Sequence, residues 1–235
     1  MKIFTLLLAF TLITGAAFAE VHSPFGKDFK PAYEAFKESL ISTSRNRKAE
    51  ALSSLETFKG EWSSLASKYK EAPGAYASLS DYSETMNKPI SVADRAISTV
   101  KEGSVLKAHG VIEEVRYIIW DMNARAGIRP LTDLLNDFHE IMELSFEEMD
   151  IADDGAEMAE IWHRKGAWMK IHWTYIDSMV KELDIRDCVN FSELVQTGFS
   201  EMDESAEKES FDLYDKASVK VKKGFKRIFF SPNVY

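Results

Sequence analysis

One cysteine, Cys188, stands among 235 residues. A single thiol closes no internal disulfide, so the core alone must hold the fold together. Glycine and proline are also scarce, at 11 and 6, and fall mainly at breaks such as Pro73-Gly74, Pro89, Gly127 and Pro130. No long stretch alternates apolar and polar residues with a period of two, which excludes a half-buried sheet as the main architecture. Beyond the first twenty residues no apolar run reaches the roughly 20 residues that a membrane-spanning helix needs. The chain has no G-x-S-x-G, phosphate-binding loop, dinucleotide fingerprint or H-E-x-x-H. After His139-Glu140 the pattern runs Ile141, Met142, Glu143, without the second histidine of a zinc protease. No C-x-x-C-H occurs, so covalent c-type haem is excluded. These absences favour a protein that binds something over one that converts it.

The N-terminus carries an address. MKIFTLLLAFTLITGAAFAE has Lys2, an apolar run from Ile3 to Leu12, and Ala17-Phe18-Ala19 before Glu20. A charged start, a short apolar segment and an A-x-A site describe a cleaved signal peptide over 1–19, hence a periplasmic or secreted protein. The net charge is −9, and −10 once Lys2 is removed. That sign argues against nucleic acid, whose phosphates call for a basic face.

What is present is helical periodicity. Leu131, Leu134, Leu135, Phe138, Ile141, Met142, Phe146 and Met149 recur at steps of three and four, as do Val105, Ile112, Val115, Ile119 and Met122. The spacing predicts eight helices, near 28–43, 46–70, 91–102, 104–126, 131–152, 155–182, 192–202 and 205–230. Short connections between them imply an all-α fold of antiparallel helical bundles.

Displacing the sequence by 106 residues lays LETFKGEWSSLASKY (55–69) over IWHRKGAWMKIHWTY (161–175). Lys59, Gly60, Trp62 and Tyr69 then fall on Lys165, Gly166, Trp168 and Tyr175. Upstream, Glu34 and Ser39 fall on Glu140 and Ser145 without a gap, while 91–125 matches 197–230 poorly. The pattern predicts a tandem duplication of a four-helix unit, with repeats over 20–126 and 127–235. The first repeat has Tyr33, Lys37, Thr57 and Ala66 where the second has His139, Glu143, His163 and His172, so a histidine site would belong to the second.

Those four residues are the candidate metal ligands. His139 and Glu143 are one turn apart on a helix. His163 and His172 lie on the next helix, which returns past the first. An imidazole and carboxylate set of this kind suits copper, zinc or iron. Seven methionines between Met122 and Met202 add possible thioethers, although methionine also fills irregular cores. His22 lies near the mature N-terminus and can join such a site. A b-type haem held by His139 or His172 with Met169 is a further alternative. Asp150, Asp153, Asp154 and Glu157 resemble part of a calcium loop without its spacing, and read more simply as a solvated hairpin tip.

The last helix has the opposite sign. Lys222, Lys223, Phe225, Lys226 and Arg227 form a basic amphipathic segment that can contact an acidic partner or an anionic membrane surface. The metal reading and this interaction reading are the two functional expectations. The sequence leaves oligomeric state open.

Overall fold

The structure, a computed structural model, describes residues 23–235, which are α-helical with no strand. The leader and His22 lie outside the described residues. The helices are α1 (Pro24–Ser44), α2 (Lys48–Lys68), α3 (Tyr82–Lys101), α4 (Val105–Ala126), α5 (Leu131–Asp150), α6 (Gly155–Glu182), α7 (Arg186–Glu207) and α8 (Phe211–Phe229), with a short 3₁₀ turn at Gly74–Ser78. They form two compact units. One runs to Pro130 and includes Tyr235; the other is Leu131–Val234.

In the first unit α1 and α2 supply an aromatic core. Phe25, Phe29, Tyr33 and Phe36 on α1 follow one another at ring separations of 5.4–5.9 Å. Phe36 meets Phe58, Phe58 meets Trp62, and Trp62 returns to Phe29, each at 5.7 Å. The Trp62 indole donates to the Met86 carbonyl at 2.7 Å and so ties α2 to α3.

In the second unit one ring from each helix meets in a cluster around Phe138. Phe138 on α5 meets Trp173 on α6 at 4.8 Å, Phe199 on α7 at 6.3 Å and Phe225 on α8 at 5.7 Å. Such offset and edge contacts add to the burial of the rings. Cys188 is buried, with 1% of its surface exposed. Met122, Met142, Met149, Met158, Met169, Met179 and Met202 are all buried, so the methionines are core residues.

Close approach of α7 and α8 depends on two glycines. A Cβ on Gly198 would lie 2.7 Å from Val221, and one on Gly224 would lie 2.7 Å from the Phe191 backbone oxygen. The second obstacle is main chain and cannot rotate away.

Five connections share one cap. A residue in the left-handed region ends the helix, and the next N–H reaches back five residues, as in Schellman ends. Asn46, Gly103, Gly127, Asp184 and Glu209 have positive φ. The reaching bonds are Arg47 to Ser42, Ser104 to Thr99, Ile128 to Asn123, Ile185 to Val180 and Ser210 to Ser205, all 3.0–3.1 Å. Several predicted boundaries move. α7 runs from Arg186 to Glu207 instead of 192–202, and α8 starts at Phe211 instead of 205, with Asp184 and Glu209 carrying the turns without a glycine. α3 begins at Tyr82 instead of 91, and Pro89, expected at a break, is buried inside it.

Helix starts in the second unit follow those in the first by 107, 107, 104 and 106 residues. Buried positions recur at 106 between α1 and α5: Phe25 with Leu131, Ala32 with Phe138, Phe36 with Met142, Ser39 with Ser145 and Leu40 with Phe146. Between α2 and α6 burial matches at 107 instead, pairing Ala51 with Met158, Leu55 with Trp162 and Trp62 with Met169. The tryptophans aligned by sequence do not share an environment: Trp62 is 1% exposed and Trp168 is 63% exposed.

Gly224→Ala should destabilise the protein by about 1–3 kcal/mol, since overpacking outweighs the gain in helix propensity. Gly60→Ala is the control. Nothing lies within 4 Å of its Cβ position on an exposed helix face. It should stabilise by about 0.5–1 kcal/mol. Urea unfolding of both variants measures the contrast.

Candidate functional site

His139 fits the apolar stripe of α5 because a ring face packs on the core while a ring nitrogen meets a carboxylate. Its imidazole stacks on Phe225 at 5.4 Å, and Nε2 lies 3.2 Å from Glu143 Oε1. Its side chain keeps 20% of its surface while that of Glu143 keeps 53%, so the pair runs from the core edge out to solvent. His163 is exposed on α6, away from the face carrying Met158, Trp162, Met169 and Trp173. His172 is half-buried with its ring 6.1 Å from Trp168. Of the four candidate ligands, the structure pairs His139 with Glu143. Among the described residues no group of three or more His, Cys, Asp or Glu side chains could hold a metal ion.

The acidic hairpin tip has a local explanation. Asp154 is the N-cap of α6 and accepts from the Glu157 N–H at 2.9 Å, while the Glu157 carboxylate accepts from the Asp153 N–H at 2.7 Å. This reciprocal arrangement is a capping box shifted by one donor. Glu148 is held by Arg164 and Lys165 from α6, which keep its carboxyl below the usual range despite the opposing effect of desolvation.

Two buried polar groupings escaped the sequence reading. In the second unit, Trp173 Nε1 donates to Ser192 Oγ at 3.1 Å and Ser192 Oγ donates to Asp177 at 2.6 Å. Lys181 holds the other Asp177 oxygen at 2.6 Å. Burial pushes the Asp177 carboxyl up, but the bonds from Lys181 and Ser192 outweigh it, and its pKa lies below the ordinary value. In the first unit, Thr43 Oγ1 lies 2.9 Å from His109 Nδ1, His109 Nε2 is 3.5 Å from Glu113, and Glu113 also pairs with Arg116. Lys37 and Arg116 are 4% and 8% exposed. Lys37 was legible in principle, since it falls among Tyr33, Phe36 and Leu40 on the buried face of α1.

The cationic segment divides between core and surface. Phe225, expected at a partner or membrane contact, is 3% exposed and packs on Phe138, His139 and Phe229, so it belongs to the core. Val221, Ile228 and Phe229 are buried with it. The main apolar face of α8 is therefore spent inside the unit, while Val219 is exposed. Lys222 is half-buried with Nζ 4.9 Å from the Phe146 ring centroid. Lys216, Lys223, Lys226 and Arg227 are exposed. Lys216, Lys220, Lys223 and Arg227 recur at steps of three and four, which places them in one row along the helix. Lys220 in that row pairs with Glu201. The surrounding unit is acidic, with 12 lysines and arginines against 23 aspartates and glutamates in 131–234, a net of −11.

No described helix is long and apolar enough to cross a membrane. The chain matches no protein-family model, no curated protein and no solved structure.

Asp177→Asn should cost about 1–3 kcal/mol near neutral pH, the range for disrupting a buried charged hydrogen bond. With the folded pKa below the unfolded value of about 3.9, the stabilisation is complete above that value. It is lost as pH falls through the folded pKa. Tryptophan-monitored urea unfolding between about pH 2 and 7 should show the two proteins converging below roughly pH 4.

Proposed function

We propose that the protein is an exported, non-catalytic interaction module that docks peripherally on an anionic lipid surface through the exposed cations of α8. The observation that carries this reading is the exposed set Lys216, Lys223, Lys226 and Arg227 on a unit of net charge −11. The contact is mainly electrostatic, because Phe225 and Phe229 of the same helix serve the core. A basic residue close to an anionic leaflet is worth about 1 kcal/mol, so four give a reversible, salt-sensitive association. The cations of the last turn, Lys226 and Arg227, also complement the helix dipole, which is compatible with this use.

Export rests on the sequence of 1–19 and stays part of the proposal. So does the tandem duplication. Its support is the recurrence of buried positions at 106 in α1 and α5 and the equivalent turns at Gly103-Ser104 and Glu209-Ser210. The exposed Trp168 is the residue that fits it least.

The metal reading has narrower support. His139 and Glu143 are a two-donor arm, and a copper, zinc or iron site of the proposed kind needs further donors. Two donors alone bind too weakly to survive purification. Metal analysis of the mature chain, prepared without a histidine tag, should therefore find less than stoichiometric metal. A full equivalent of copper, zinc or iron that disappears in His139→Ala would reinstate the four-residue site.

The docking reading is tested by co-sedimentation with phosphatidylglycerol vesicles, with phosphatidylcholine vesicles as control. Binding is expected at low ionic strength on the anionic vesicles only, declining as salt shortens the Debye length from about 10 Å at 0.1 M toward 3 Å at 1 M. Reversing Lys216, Lys223, Lys226 and Arg227 to Glu should abolish it with the helical circular dichroism unchanged. Absence of binding by the wild type, or equal binding by the reversed variant, would overturn the proposal.

A further inference from the structure

α6 is the longest helix among the described residues, with 28 residues, and one of its faces is turned to solvent. Glu160, Arg164, Ala167, Trp168, Ile171, Thr174, Tyr175, Ser178 and Glu182 are all exposed and recur at steps of three and four, so they form one stripe over about six turns. Its centre is apolar. Trp168 is 63% exposed, Ile171 50% and Tyr175 38%. Its margins are charged, with Glu160 and Arg164 toward one end and Glu182 at the other. Isolated exposed apolar residues are ordinary, whereas three bulky ones in line with polar ends mark an interaction face.

We infer that this face binds the same face of a second copy of the chain, in an antiparallel twofold pair. A twofold axis at the level of position 173 brings residues whose numbers sum to 346 opposite each other. Arg164 of one copy then faces Glu182 of the other, at both ends of the contact. Trp168 faces Ser178, and Ile171 faces Tyr175. Bulky side chains meet small ones at the flanks, as ridge-into-groove packing requires, and the same patch serves both copies, as a twofold interface demands.

The charges already present allow the exchange. Arg164 pairs with Glu148 within its own unit, and Lys165 holds the same carboxylate. When Arg164 turns to Glu182 of the second copy, Glu148 keeps Lys165. Glu182 makes no ion pair among the described residues, so nothing is broken on that side. One helix pair is a small interface, at the lower end of the range for specific contacts. The net charge of −11 on each second unit opposes association, so moderate salt should strengthen the dimer until the Arg164–Glu182 pairs are themselves screened. Self-association is independent of the lipid contact, since Arg164, Ile171 and Glu182 lie on α6 and the cation row lies on α8.

Sedimentation equilibrium of the mature chain from about 1 to 300 μM tests the inference, a range that spans weak dimers. A reversible monomer–dimer equilibrium is expected. Ile171→Glu, which sets two like charges near the axis, should weaken it at least ~tenfold. Arg164→Glu and Glu182→Arg should each weaken it, and the double variant should recover most of the loss. All three substituted positions are exposed, and circular dichroism checks that each variant is folded. A wild type that stays monomeric throughout, a dimer unaffected by Ile171→Glu, or a double variant no better than the singles would overturn the arrangement.

Discussion

Phe138 imposes the constraint on which the second unit depends. Its ring touches Trp173, Phe199 and Phe225, one aromatic residue from each of the other three helices. Four helices that share one contact point cannot rotate independently. The rotation that keeps Phe225 in contact with Phe138 also places Val221, Ile228 and Phe229 inside the unit. The lysines between them must then face outward. The cation row is thus a consequence of core packing, and so is the stacking of His139 on Phe225. The first unit meets the same requirement differently, concentrating its largest rings on α1 and α2.

The close approach of α7 and α8 reinforces this arrangement. Gly198 and Gly224 remove the side chains that would otherwise hold these helices apart, and Val195 and Val221 fill the space. At the same positions, displaced by 106, the first unit has Val92 and Ile118. Its third and fourth helices cannot copy that glycine-mediated contact. Two units with related burial patterns therefore reach their packing by different local means.

The helical class and most of the core were legible because period 3.6 is written into nearly every segment. α5 was read within two residues of its observed end, and α6 at both ends. The weaker predictions have two causes. Asp184 and Glu209 adopt left-handed conformations usually marked by glycine, so the turns they form leave little trace in composition. Pro89 looks like a terminator but lies buried within α3. The candidate metal residues illustrate a different limit. Spacing correctly joined His139 to Glu143, since both lie on one helix. It could not fix the rotation of α6, which leaves His163 exposed and His172 beside Trp168. The buried Asp177–Ser192–Trp173 chain was hidden for the same reason, as its members come from two helices.

The placement of α6 and α8 links the two proposed surfaces. In the second unit α6 packs on α5 and α7, and α8 packs on α7 and α5. They occupy opposite corners, so the apolar stripe and the cation row face different directions. Occupying one leaves the other accessible. A pair joined through α6 would carry two cation rows in one particle. Each row alone makes a weak contact that salt screens readily. Where the geometry of the pair lets both rows reach one anionic surface, the second contact forms at high effective concentration and apparent affinity rises without any new interaction. Such a protein would respond steeply to its own concentration, because pairing and surface retention would favour each other by linkage.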